Sequence, residues 1–195
     1  MTPKRLTLAA GAAVVLALLV VGLLQLGGSG SPPRSTLTLA QMRARLAGSP
    51  PALEALHTQA NELLAGGLPA LRARLESLRG TPVVINKWAS WCEACRAEFG
   101  IFQRVSVTRG HTVAFIGIDS GESSRADALA FLRSFPVSYP SYYDHGEQMG
   151  TAITDSTFTP VTVFYNRRGA LFIHQGPYPS VAKLERDVER YALEA

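Results

Sequence analysis

The sequence is poor in cysteine and histidine. Its 195 residues include two cysteines, Cys92 and Cys95, and four histidines at 57, 111, 145 and 174, each standing alone. A four-coordinate zinc site needs two further Cys or His at suitable spacing. None is present, so these cysteines do not read as half of such a site. The chain also lacks strong charge of one sign. The formal net charge is +4, and the basic residues are dispersed. No basic stripe interleaved with aromatics occurs, which argues against a nucleic-acid partner. Charge is missing altogether from 6–26, where only Thr7 and Gln25 are distinctly polar.

What is present centres on Trp88-Ala89-Ser90-Trp91-Cys92-Glu93-Ala94-Cys95-Arg96-Ala97-Glu98-Phe99. The preceding run, Pro82-Val83-Val84-Ile85-Asn86-Lys87, is short, apolar and β-branched, and predicts a buried strand. Phe99, Phe102 and Val105 then recur at helical spacing. The two thiols therefore fall where a strand passes into a helix, with Cys92 at the helix N-terminus. Unpaired N–H groups and the positive end of the helix dipole stabilise an anion there. A Cys so placed in a Cys-x-x-Cys pair has its pKa lowered. Cys92 is expected as the exposed attacking thiol and Cys95, one turn in, as the buried resolving thiol. Glu98 lies three residues beyond Cys95, on the same part of the helix surface. A carboxylate there suits the proton that the resolving thiol must exchange; the alternative is a solvated helix charge. Trp91 is expected on an exposed apolar rim that meets protein substrates, and Trp88 in packing.

The stretch Val84-Ile85-Asn86-Lys87-Trp88-Ala89-Ser90-Trp91-Cys92-Glu93-Ala94-Cys95-Arg96-Ala97-Glu98-Phe99 resembles the active-site signature of the TlpA/ResA-like branch of the thioredoxin superfamily. The resemblance runs from about Val83 to the C-terminus. It implies a membrane-tethered thiol-disulfide oxidoreductase facing out of the bacterial cytoplasm. It implies an active-site role for Glu98. It also implies a cis peptide before Pro160, lying against the Cys pair, with Thr159 offering backbone hydrogen bonds to an extended substrate segment. Asn86 stands where ordinary thioredoxins carry a buried Asp, so that role is expected to have moved to Glu98. Three departures stand out. Ala94 replaces a common Pro, Lys87 replaces an aromatic, and the region before the active-site strand reads as helix where relatives commonly carry a β-hairpin. A Lys in a central strand is costly unless its head finds water or a partner, so an ion pair with a nearby carboxylate is expected for Lys87.

Along the chain, 1–5 carries Lys4 and Arg5, and 6–26 is long enough to span a bilayer, which takes about 20 apolar residues. The positive flank predicts a cytoplasmic N-terminus and a single-pass signal-anchor with the rest outside. A cleaved secretory signal is the competing reading, but the apolar core is longer than the usual 7–15 or so residues of such signals and Gln25-Leu26-Gly27-Gly28 is a poor cleavage site. Residues 27–35 read as a flexible linker. Residues 36–80 read as a helical extension with three apolar stripes: Leu39, Met42 and Leu46; Leu53, Leu56, Ala60, Leu63 and Leu64; Leu68, Leu71, Leu75 and Leu78. Residues 81–195 are expected to form an α/β thioredoxin-like domain, ordered βαβ-α-ββα, its central mixed sheet flanked by helices. Its strands are predicted at 83–87, 111–118, 161–165 and 170–175, with 136–143 extended or irregular.

The expected function is reduction of disulfides in exported proteins, such as apocytochrome c, with no cofactor and no metal. With two Cys and one span the chain cannot carry electrons across the membrane, so a separate membrane thiol reductant is implied. The alternatives are a disulfide-forming oxidase of the same fold, or a copper-binding thioredoxin-fold metallochaperone using both Cys and His174.

Overall fold

The apolar run before the cysteines forms the centre of the sheet. In the computed structural model, which describes residues 37–194, strand β2 (Val83–Trp88) is buried at every position. Burial on both faces is why its first three residues, Val83 to Ile85, are consecutively apolar, with Asn86 and Lys87 buried after them. The segments expected at 1–5, 6–26 and 27–35 lie outside the described residues. Among the described residues no helix is long and apolar enough to cross a membrane.

The elements before β2 are α1 (Leu39–Leu46), α2 (Pro51–Thr58), β1 (Leu63–Leu64) and α3 (Gly67–Ser77). After it come α4 (Glu93–Arg109), β3 (Ala114–Ser120), α5 (Arg125–Ser134), β4 (Ser141–Asp144) and α6 (Gln148–Thr154). The chain continues with β5 (Val161–Tyr165), β6 (Leu171–Gln175) and α7 (Val181–Asp187), which runs on as a π-helical turn, Val188–Leu193. The sheet order is β1-β4-β3-β2-β5-β6. β2 pairs parallel with β3 and antiparallel with β5, and β5 pairs antiparallel with β6, so the sheet is mixed as expected.

Side-chain alternation along β2 divides the core. Val84 and Trp88 join Phe99, Phe102 and Val105 of α4, Phe131 of α5 and Leu184 of α7 on one face. Val83 and Ile85 join Leu53 and Leu56 of α2, Leu71 of α3 and Met149 of α6 on the other. The second and third leucine stripes are thereby covered by the sheet. At the β5–β6 turn, Asn166 Oδ1 accepts from the N–H groups of Arg168 and Ala170, and Gly169 takes a φ of 81°.

Two expectations need correction. Residues 136–143, read as extended or irregular and not counted among the strands, end in a sheet strand: β4 lies parallel to β3 on one side and β1 on the other. The stripe ending in Leu63 and Leu64 is not one helix: α2 stops at Thr58, and the two leucines form β1. Asn61 makes the break. It adopts φ 65°, its N–H donates to Tyr139 O, its Nδ2 donates to Leu132 O, and its Oδ1 accepts from Val137 N. Asn tolerates this left-handed conformation better than most residues, and the three bonds tie the extension to the segment leading into β4.

Candidate active site

Helix α4 begins at the cysteines. Cys92 is its N-cap, with φ −80° and ψ 108°, and its Sγ accepts from Cys95 N at 3.1 Å. The two form a disulfide with Cα atoms 5.3 Å apart. Cys95 is fully buried and Cys92 is 5 % exposed. Cys92 is thus the more accessible residue of the pair, but it is not the openly exposed one the sequence suggested. As N-cap it turns its sulfur in toward the helix end and its partner.

The loop before Cys92 is held from both sides. Ser90 N donates to Glu122 Oε2 at 2.9 Å, and Arg96 Nη2 donates to Ser90 O at 2.7 Å. Trp91, 61 % exposed, stands out beside the pair with its Nε1 donating to Gly121 O. Trp88 is fully buried, stacked on Phe131 and edge-on to Phe99, with its Nε1 donating to Ser141 Oγ at 3.2 Å. The Thr159–Pro160 peptide is cis. Pro160 directly precedes Val161, which is in register with Lys87, so the turn into β5 lies at the end of β2 from which the Cys loop departs. The neighbouring Phe158 is an exposed aromatic that sequence reasoning passed over.

Glu98 is fully buried, which rules out a solvated helix charge. Its Oε2 accepts from Tyr178 N at 2.9 Å, and its Oε1 has no hydrogen-bond partner. Burial pushes its pKa from 4.5 up to about 8, and the Tyr178 bond only partly offsets this. The group is therefore poised to change protonation near neutral pH, the range suited to proton transfer. Asn86 is buried on the same face, beside the Tyr139 phenol, whose pKa is raised by burial.

Lys87 is also buried, but among the described residues it forms no carboxylate ion pair within 4 Å. Its Nζ donates to Ser156 O at 2.7 Å. Burial lowers its pKa, and the charges of Glu147 and Asp144 oppose that shift without a direct bridge. The expected ion pair is therefore replaced by a backbone carbonyl with two carboxylates at longer range.

Asp119 was missed. It lies near the end of β3 in register with Trp88, is fully buried, and has both carboxylate oxygens without hydrogen-bond partners. Burial first, then the charges of Glu122 and Asp144, raise its pKa from 3.8 to about 8, with Arg125 opposing. Its sequence signal was an acid at the end of an apolar strand, which reads equally well as the start of a loop. His174, the copper candidate, is half-buried on β6 and stacks on Tyr178 with ring centroids 4.3 Å apart. Among the described residues no group of three or more His, Cys, Asp or Glu is gathered as a metal site.

These features have known counterparts. The chain is 30 % identical over 99 residues to the thiol-disulfide oxidoreductase ResA of Bacillus subtilis, across 50 % of this chain and 54 % of that protein. It is 36 % identical over 74 residues to the thiol:disulfide interchange protein DsbE of Allochromatium vinosum, across 37 % of this chain and 39 % of that protein. The chain thus spans about half the length of these curated relatives or less. The solved structure of MTB dsbF, in its mixed oxidized and reduced forms, superposes with a TM-score of 0.53 at 26 % identity, covering 59 % of this chain and 84 % of that one. No family model matches. The sheet, the Cys-x-x-Cys disulfide at a helix start and the cis-Pro turn define a thioredoxin-like fold. Within the superfamily the chain is similar to thiol-disulfide oxidoreductases of the ResA and DsbE type.

Proposed function

We propose that this protein is a membrane-anchored thiol-disulfide oxidoreductase that reduces disulfides in exported proteins, apocytochrome c among them, outside the cytoplasm. The observation that carries the reading is the buried Glu98 carboxyl, three residues past Cys95, with its pKa held at about 8. In the reduced protein Cys92 attacks a substrate disulfide as the thiolate, favoured by the N-terminus of α4. A mixed disulfide forms and one substrate sulfur leaves. Glu98 then takes the proton of Cys95, which attacks Cys92 Sγ and releases the second substrate sulfur. Trp91 and the backbone at Thr159–Pro160 hold the substrate segment across Cys92. A separate membrane thiol reductant regenerates the dithiol, and the uncharged run at 6–26 supplies the anchor. Neither cofactor nor metal takes part.

The test is the reduction potential of the full chain in detergent, read by equilibration in glutathione or dithiothreitol buffers. A value near about −270 mV supports a reductant. A value near about −120 mV overturns the direction and makes the protein a disulfide-forming oxidase.

A further inference from the structure

Among the buried side-chain atoms beneath α4 that lack hydrogen-bond partners are Glu98 Oε1, Thr162 Oγ1 and His174 Nε2, with the Asn86 amide and the Tyr139 hydroxyl on the same face. Thr162 and His174 share one face of the sheet, and Glu98 lies on the helix that covers it. Asn86 on β2 is in register with Thr162 on β5, and Thr162 with His174 on β6. Residues directly opposed in an antiparallel ladder present side chains on the same face, about 5 Å apart. That face is the one α4 covers, because Asn86 alternates with Val84 and Trp88, and Thr162 with Phe164, all packed beneath α4. Tyr178 draws Glu98 and His174 together. Its N–H donates to Glu98 Oε2, and its ring stacks on the His174 imidazole.

Buried polar groups in native proteins nearly always have a partner, and those that do not call for an explanation. Here they lie on adjoining elements, Glu98 on α4, Thr162 on β5 and His174 on β6, with Tyr178 touching both ends. Glu98 is the start, on the helix that carries Cys95. His174 is the end: its Nε2 is buried, but the residue as a whole is half-exposed, so the ring bridges interior and surface. A hydroxyl both donates and accepts, and a neutral imidazole accepts at one nitrogen while donating from the other.

We propose that Glu98 exchanges its proton with solvent through Thr162 and His174. The proposal rests on the thiol-disulfide reading above. During resolution the Cys95 S–H bond breaks and its proton goes to Glu98 in its ionised form, which must first have given up its own proton to solvent. The Cys95–Cys92 bond forms, and the Cys92–substrate bond breaks, leaving the substrate sulfur with the electron pair. The proton then passes by way of Thr162 to His174 Nε2, and His174 releases one from its outer side to water. Thr162 and His174 act through Glu98, not on sulfur, and are positioning residues in that sense. The groups facing His174 are Tyr178, with Asp187 and Lys183 of α7, which bridge each other at 2.6 Å. Burial lowers the imidazole's pKa, Lys183 reinforces the shift and Asp187 opposes it, which favours the neutral form that can accept a proton.

The experiment uses the reduced full chain in detergent, mixed with Ellman's reagent in a stopped-flow instrument. Cys92 releases the first thionitrobenzoate, and Cys95 releases the second as it closes the disulfide. His174→Phe keeps a ring to stack on Tyr178, and Thr162→Val keeps the shape of the strand residue. Both are expected to leave the first phase unchanged and to slow the second about tenfold or more at neutral pH, less than the roughly 10²–10⁴-fold of a group that itself transfers the proton, because they act through Glu98. Added imidazole should restore the second phase of His174→Phe. Wild-type second phases in both variants overturn the relay. So does a slowed phase in His174→Phe that ignores imidazole while Thr162→Val behaves as wild type. A wild-type chain with no second phase overturns the thiol-disulfide reading itself.

Discussion

Glu98→Gln separates the chemistry of Glu98 from its cost to the fold. The native carboxyl titrates at about 8, against 4.5 for the same group in water. Each tenfold change in proton affinity is worth about 1.4 kcal/mol, so the interval corresponds to roughly 5 kcal/mol as an upper figure. The sign follows from proton counting. Between pH 4.5 and 8 the native state holds a proton that the unfolded chain has released, so stability is full below 4.5 and is lost as pH rises to 8. The substituted amide would keep an oxygen to accept from Tyr178 N but does not titrate. The variant should match the wild type near pH 5 and exceed it at pH 8 to 9 by about 2–5 kcal/mol, the lower bound allowing for relaxation around the ionised group. Urea unfolding of wild type and variant at pH steps from 5 to 9 measures this. The same variant should lose about 10²-fold or more in the Cys95 step, having no proton acceptor. A stability difference that does not change with pH would refute the account of Glu98, whatever the activity did.

The remaining expectations concern its surroundings. Asp119 carries the same sign over pH 3.8 to 8, so Asp119→Asn should also gain on wild type as pH rises, and the double variant of Glu98→Gln with Asp119→Asn should show the flattest stability–pH profile in the same urea series. Gly117→Ala puts a methyl group against the Ser141 side chain and 2.9 Å from Trp88 Nε1; a loss of about 1–3 kcal/mol is expected from overpacking, with a changed Trp88 fluorescence, and an unaltered midpoint would contradict the packing described. Lys87→Met removes the donor to Ser156 O and the cation near Asp144 and Glu147; a loss of about 1–3 kcal/mol in urea unfolding is expected, and equal stability would mean that the buried ammonium contributes nothing net.

The active-site strand and helix were legible because their signals are local. An unbroken β-branched run, two cysteines and an apolar helical repeat follow one another within Val83 to Val105. β4 was not, because Ser141-Tyr142-Tyr143-Asp144 has no apolar run of its own and follows Pro136 and Pro140. It is a strand by virtue of its neighbours, β1 and β3. β1 was misread because Leu63 and Leu64 continue the spacing of Leu53, Leu56 and Ala60, and periodicity cannot reveal that Asn61 makes the break. The decisive bonds of Asn61 reach Leu132, Val137 and Tyr139, about seventy to eighty positions away.

The same limit applies within the site, where it explains how the protein handles its proton. Position, not composition, raises the affinity of Glu98 and Asp119 for a proton. Both are carboxylates that sequence alone would leave ionised at neutral pH, and burial moves both to about 8. In the proposed reaction each turnover moves one proton off Cys95, so a buried proton acceptor serves it only if it can be reloaded. Asn86, in the central strand, does not titrate, so it cannot take that part. Glu98 can, from the helix that carries Cys95 and with Tyr178 N fixing one of its oxygens. Its other oxygen stays unpaired beneath α4, on the sheet face that presents Thr162 and His174. Placing the acid on the helix instead of the strand leaves β5 and β6 to supply the way out, and it is along those two strands that substitution should change the proton's rate of exit without changing how Cys92 attacks.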